Sequence, residues 1–275
     1  MARGGSGTYR LPVTIRRIND VDRSGHWLAQ GWHDFKRAPV VSLVYGGAFV
    51  VISLALTFGL RAIGLDSLIL PLCLGFIIVA PVLVVGLYDV SRRLERGQDV
   101  RFRDIFAALG ESLGQLSAMG IVLLICYWVW VWSALMLFMG FFNQSPPSLD
   151  GFFGDVVFTM NGALLLAIGS LVGAGFAAVV FSISAVSVPL LYDRPIDVIT
   201  AISASLLAVR ANGRVMFGWA ALILLLTIAA VTTVFIGLSV VVPLLAYSTW
   251  HCYRDLIETK DQIAVPLEAP GQPAV

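Results

Sequence analysis

Between Glu111 and Asp150 no residue carries a charge, and four other long intervals of the chain are equally bare. That spacing constrains the fold more than any motif. A bilayer core is roughly 30 Å thick, and about 20 consecutive apolar residues cross it as a helix. Arg37 and Arg61 enclose a first span at 40–60, Asp66 and Asp89 a second at 67–88, and the Glu111–Asp150 interval a third at 118–141. Asp155 and Asp193 enclose an outer interfacial piece through Asn161 and Gly162, then a fourth span at 163–190. The 39 residues between Arg214 and Arg254 would make one helix roughly 58 Å long, too long for one crossing. They divide near Thr232 to Gly237 into spans at 215–232 and 236–253, each close to the minimum length.

Composition agrees with a membrane protein. Charged residues make up 13% of the chain and hydrophobic ones 58%, with a mean hydropathy of +0.88, whereas soluble domains are about one quarter charged. A net charge of +1 provides no broad basic surface, so no nucleic-acid partner is expected. Cys73, Cys126 and Cys252 are odd in number and far apart. They read as small apolar packing residues, with neither a disulfide framework nor a thiolate metal site. Residues 1–39 are polar, and their basic residues precede a full-length span instead of the short apolar region of a cleavable signal.

Lysine and arginine test the span count. Seventeen of the eighteen lie in alternate segments, the exception being Arg61. Under the positive-inside rule both termini are cytoplasmic and the number of spans is even. Taking 215–253 as one span would export Arg254 and Lys260; splitting the fourth interval would export Arg194, Arg210 and Arg214.

The chain also repeats. Each odd span is preceded by an amphipathic stretch, at 22–37, 99–116 and 195–212, basic enough and apolar enough on one face to lie in the cytoplasmic interface. The stripes are Trp27, Leu28, Gly31, Trp32 and Phe35; Phe102, Ile105, Phe106, Leu109, Leu113 and Leu116; and Ile196, Ile199, Ile202, Leu206 and Val209, with Gly213 suited to a C-terminal cap. Even spans end alike, in "PVLVVGLYD", "PLLYD" and "PLLAYSTWHCYRD". Proline bends or ends a span, tyrosine suits the headgroup level, Asp193 can cap the next helix and Pro195 fits its first turn. That recurrence favours a mechanical role for Asp193 and Arg194 over a chemical one. The expected fold is all-α: a single domain at 19–260 of six transmembrane helices in three hairpins, each preceded by an interfacial helix. A flexible segment at 1–18 precedes it and a Pro-rich, disordered tail at 261–275 follows.

Three stretches, "TIRRINDVDRSGHWLAQGWHDFKRAPVVSLVYGGAF", "SVPLLYDRPIDVITAISASLLAVRANG" and "VVVPLLAYSTWHCYRDLI", resemble the DUF2189 family of bacterial integral membrane proteins, over about Thr14 to Ile257. The resemblance implies a protein of the bacterial inner membrane without an assigned activity. Some relatives carry the label of a cytochrome c oxidase subunit. A haem-copper catalytic subunit needs several histidines deep in its spans. Here His26 and His33 sit seven residues apart before the first span, about 10 Å along a helix, and His251 lies at the inner end of the last. The label is therefore compatible with a haem-free accessory or assembly role, and no metal site is expected.

Other chemistry is thin. Apart from His251 at the inner end of the last, the spans contain no ionisable groups of the kind that proton and ion pathways keep inside the bilayer. Ser182, Ser184 and Ser187 could line a passive pore; with Gly169, Gly173 and Gly175 they read instead as small residues that let helices approach. Trp128 and Trp132 share a face of the third span while Trp130 points elsewhere, nearer mid-membrane than the interfacial belts. These three are the candidate ligand-binding residues, for a quinone or other flat lipid-like molecule, against packing on neighbouring spans or a partner subunit. P-loop, HExxH and GxGxxG motifs are missing, and no enzyme activity or cofactor is expected. Asp150 and Asp155 in the Pro-containing outer loop are a weak cation pair. The sequence thus points to a non-catalytic component in contact with lipids and another membrane complex; a passive transporter or channel and a quinone or lipid binder are the alternatives.

Overall fold

The computed structural model describes residues 13–20, 22–100, 102, 110, 113–142 and 159–258. Helix α1 spans Arg23–Arg37 and α2 Pro39–Leu54, with Ala38 leaving helical geometry between them (φ −128°, ψ 55°). Pro39 takes the first position of α2, where the missing N–H costs no intrahelical bond. The helix continues through a π turn, Ala55–Gly59, to Ala62. A short turn at Asp66–Leu68 leads into α3, Ile69–Leu83, which stops two residues after Pro81; the ring and absent donor disrupt the helical ladder there. Then follow α4, Val85–Glu95, α5, Leu113–Phe142, and α6, Met160–Ser184. The chain continues with α7, Ser187–Asp193, α8, Val198–Ala211, α9, Gly213–Thr232, and α10, Leu238–Leu256.

Five helical stretches are long and apolar enough to cross a membrane: Pro39–Ala62, Pro71–Glu95, Gly114–Phe142, Met160–Asp193 and Gly213–Thr232. They coincide with the first five spans read from the sequence, and the chain is a polytopic, mostly helical membrane protein. The expected sixth interval is helical as α10, with its turn at 233–237, but α10 is not among the five. Its second half, "YSTWHCYRD", carries the polar groups that lower its hydropathy.

Helix α10 is nonetheless the hub. Helix α1 crosses it where Gly31 meets Ser248 and the Leu244 carbonyl, and α2 crosses it where Gly46 meets the Ser239 carbonyl. A Cβ at either glycine would strike backbone, so only glycine permits these approaches. Around them Trp27, Trp219, Trp250, Tyr88, Tyr247 and Tyr253 are fully buried. Ser42 and Tyr247 join α2 to α10 through a buried hydroxyl pair at 2.8 Å.

Several local expectations change. Asp197, not Asp193, caps α8: its carboxylate accepts from Thr200 N at 2.9 Å and Thr200 Oγ1 at 2.5 Å. Asn212, not Gly213, closes that helix, and Gly213 opens α9. The Asn212 side chain also binds the N-terminal segment, accepting from Ile18 N at 2.7 Å and donating to Arg16 O at 3.1 Å. Helix α8 packs through its small residues, Thr200, Ala201, Ala204, Ser205 and Ala208, while Ile199 and Leu206 of the apolar stripe face outward. Asn161 and Gly162 are in the first turn of α6, capped by Thr159, instead of forming a separate interfacial piece. Within the 1–18 segment read as flexible, strand β1, Thr14–Ile15, pairs antiparallel with β2, Ile257–Glu258. Most of the 99–116 stretch, the outer loop with Asp150 and Asp155, and the 261–275 tail lie outside the described residues.

Candidate functional site

Helices α4, α7 and α10, which carry the three recurring endings, meet in one polar layer. Asp89, 1% exposed, accepts from Arg92 at 2.9 Å, Arg93 at 2.6 Å and Tyr192 Oη at 2.6 Å. The Arg92 guanidinium also lies 4.5 Å from the centre of the Tyr192 ring. Asp193 accepts from Tyr253 Oη at 2.6 Å. Each tyrosine thus reaches the aspartate of the preceding ending: Tyr192 to Asp89, Tyr253 to Asp193. Trp250 sits among them, its ring 6.3 Å from those of Tyr88 and Tyr192 and 5.4 Å from that of Tyr253. The third aspartate, Asp255, turns to α1 instead, accepting from Arg23 at 2.6 and 3.1 Å and from Trp27 Nε1 at 2.9 Å. Burial pushes the Asp255 carboxyl up, but the Arg23 and Trp27 bonds and the Arg23 and Arg16 charges outweigh it and hold the group below the usual carboxylate range. Hydrogen bonding to Asp255 raises the Arg23 pKa in turn.

A second cluster joins α1, α4 and α10. Asp34, 5% exposed, accepts from Ser91 Oγ at 2.7 Å and pairs with His251 Nε2 at 2.8 Å. Glu95 accepts from Trp250 Nε1 at 3.1 Å and faces Arg254 at 3.5 Å and His251 Nδ1 at 3.7 Å. An activated nucleophile needs its hydroxyl on the imidazole that deprotonates it. Here Ser91 and His251 both bind one oxygen of Asp34, and Ser91 is fully buried. The arrangement ties helices together and presents no nucleophile.

All three histidines nevertheless reach one groove of about 300 Å³, lined by His26, Ala29, Gln30, His33, Asp34 and His251. The sequence placed His251 apart from the others; α1 lying against α10 unites them. Among the described residues no group of three His, Cys, Asp or Glu side chains is placed to hold a metal ion. A second groove, of about 400 Å³, opens at the α1–α2 bend beside Arg37, Gln98 and Asp99.

Of the tryptophan trio, Trp128 and Trp132 are 58% and 56% exposed and have outward faces, so neither packs into this chain's own bundle. Trp130 is half-buried on the α6 side, its Nε1 3.9 Å from the Cβ position of Gly173. Gly169 and Gly175 have nothing within 4 Å of that position, so the close-approach role read for them falls instead to Gly31 and Gly46. Ser182, Ser184 and Ser187 donate to carbonyls four residues earlier, those of Ala178, Val180 and Ile183. Cys73 and Cys126 are half-buried and Cys252 buried, all free.

The sequence reading treated Tyr192, Asp193, Tyr253 and Asp255 as span endings and did not single out Asp34 or Glu95. A signal was present: acidic residues recur beside tyrosines one turn past each even span, where isolated charges need partners. No curated protein and no solved structure matches the chain. Residues 69–193, from α3 to the end of α7, match the model of the family described as a predicted integral membrane protein (DUF2189), the family that the sequence resembles.

Proposed function

We propose that the protein is a non-catalytic, multi-pass component of the bacterial inner membrane that works through helix contacts with another membrane complex. Its three hairpins, α2–α3, α5–α6 and α9–α10, enter from the cytoplasmic side, where both chain ends remain. The pairing of β1 with β2 supports that topology, because segments hydrogen-bonded to each other share one side of the bilayer and an even number of crossings separates them. The cationic bias of alternate segments supports the cytoplasmic assignment.

One observation carries the contact role. Trp128 and Trp132 stand in the middle of Gly114–Phe142, away from both headgroup belts, on a face left exposed among the described residues. Large aromatic side chains in that position are typical anchors of a helix–helix interface. The polar layer works inward: Asp34, Asp89 and Asp255 are all committed to holding α1, α4, α7 and α10 together.

The test is photo-crosslinking in intact cells with benzoylphenylalanine at Trp128 and, separately, at Leu171 on the exposed side of α6. A discrete protein adduct from position 128, absent from position 171, is expected. Adducts to lipid alone from position 128 would overturn the reading, and a quinone adduct would establish the ligand-binding alternative that uses the same face.

A further inference from the structure

The sequence has α9 and α10 cross the bilayer as the third hairpin. We infer that this hairpin is re-entrant: its turn at 233–237 ends near the bilayer midplane, among lipid acyl chains, and returns to the side it came from. The inference rests on the topology proposed above, in which the hairpins enter from one side.

Two rulers give the depth. Gly46 of α2 abuts Ser239 of α10. From Gly46, α2 runs sixteen residues further to Ala62, about 24 Å, whereas only four residues, about 6 Å, separate Ser239 from Phe235 in the turn. The turn therefore stops about 18 Å short of the far end of α2. Independently, α9 passes α1 where the Trp219 and Trp27 rings stand 5.9 Å apart. From Trp219 to Thr232 is thirteen residues, about 20 Å, against a hydrocarbon core of roughly 30 Å.

The chemistry of the turn suits that depth. A non-helical backbone within a bilayer has to satisfy its own polar groups. Val234 and Phe235 take left-handed φ values of 54° and 67°, which folds the turn tightly onto itself. The N–H groups of Phe235, Ile236, Leu238 and Ser239 donate to Val231, Thr233, Phe235 and Ile236 carbonyls, and Gly237 N donates to Thr233 Oγ1 at 2.8 Å. The hydroxyls of Thr232, Thr233 and Ser239 in turn donate to the Ala229, Ala230 and Ile236 carbonyls. Outward the turn presents Val234, 55% exposed, and Ile236, 66% exposed, beside Thr232 and Thr233, whose hydroxyls are taken up by those carbonyls, with Leu224, Leu225 and Ile228 outward below them. The segment between Arg214 and Arg254 contains no charge that could mark a far-side loop, whereas the α2–α3 loop has Arg61 and Asp66.

Single cysteines in a chain with Cys73, Cys126 and Cys252 changed to Ala test this in intact cells and in inverted vesicles, using a membrane-impermeant maleimide. Ile63→Cys, 69% exposed beside the α2–α3 turn, should react from the periplasmic face, and His33→Cys on α1 from the cytoplasmic face. Ile236→Cys, and Thr232→Cys as a second variant at the turn, should react at least tenfold more slowly than either control from both faces. A spin label at either turn position should be relaxed by oxygen far more than by a water-soluble nickel chelate. Reaction of both turn variants from the periplasmic face at the Ile63→Cys rate overturns the inference and leaves six full crossings. Reaction of Ile63→Cys and His33→Cys from the same face overturns the topology itself.

Discussion

Helices α6 and α10 invert the relation between hydropathy and burial that holds in water. The most apolar window of Met160–Asp193 is 0% buried within the chain, and Leu171 is 75% exposed. Helix α10, too polar to rank among the five apolar stretches, has Tyr247, Trp250, Cys252, Tyr253 and Leu256 at or near 0% exposure. In a bilayer the solvent is itself apolar, so an outward helix has to be apolar on all sides. A central one can carry serine, histidine, arginine and aspartate provided each is paired. Hydropathy in this chain reports contact with lipid, and polar pairing reports the interior.

Removing a partner from the interior should produce the largest effect. Asp89→Ala would leave Arg92 and Arg93 in the polar layer without their buried counter-charge. Loss of one member of a buried pair costs about 3–5 kcal/mol, and a denaturant titration in detergent should show a drop of that order. Ser182→Ala on α6, whose hydroxyl only bonds its own helix, should stay within about 0.5 kcal/mol of the parent. Equal losses for the two would break the contrast between α6 and the polar layer.

Glycine substitutions sharpen it. Gly46→Val on α2 would drive side-chain atoms into the Ser239 backbone, and overpacking of this kind costs about 1–3 kcal/mol, with backbone contact at the upper end. Gly169→Val on α6 meets open space and should leave the thermal midpoint unchanged.

The hydrophobic skeleton was legible because lipid-facing residues obey a single rule. Charge gaps located all five apolar helices, ending the second at 88 where the helix runs on through charged residues to Glu95, and the turn between α9 and α10 fell where the uncharged interval was divided. The recurring endings also had meaning, since Tyr192 and Tyr253 do join the ends of successive units. What escaped was everything set by pairs distant in sequence. Nothing near Gly31 or Gly46 distinguishes them from Gly169, because the distinction lies on α10, some two hundred residues away. The same holds for Asp34 with His251, Arg23 with Asp255, and the β1–β2 pairing. The α8 stripe misled more subtly: Ile196, Ile202 and Val209 do pack partly against the core, but Ile199 and Leu206 face outward and the buried positions are alanine, serine and threonine.

Acidification probes the same interior more gently. Because Asp255 is held below the ordinary carboxylate value, the folded state binds its proton less readily than the unfolded chain does. Its contribution is therefore complete at neutral pH, begins to weaken as pH falls toward the unfolded carboxylate value, and is lost as pH falls through the folded pKa. A melting series in detergent should be flat from pH 7 to about 5 and decline below about 4. In Arg23→Gln, which removes the largest cause of the depression, the parent's extra loss on acidification should shrink. An unchanged profile in that variant would remove Asp255 from the set of interior ties.

The smallest effect on stability belongs to the outward tryptophans. Trp132→Leu exchanges one lipid-facing apolar side chain for another on a helix whose apolar window is only 6% buried, so the isolated protein should stay within about 0.5 kcal/mol of the parent. If the proposed contact role holds, recovery of a membrane partner after native extraction should nonetheless fall, because the indole face would be lost from the contact while the fold is not. A stability loss above about 1 kcal/mol would instead mean that Trp132 packs within the chain, and α5 would then belong with α10 on the buried side of the comparison.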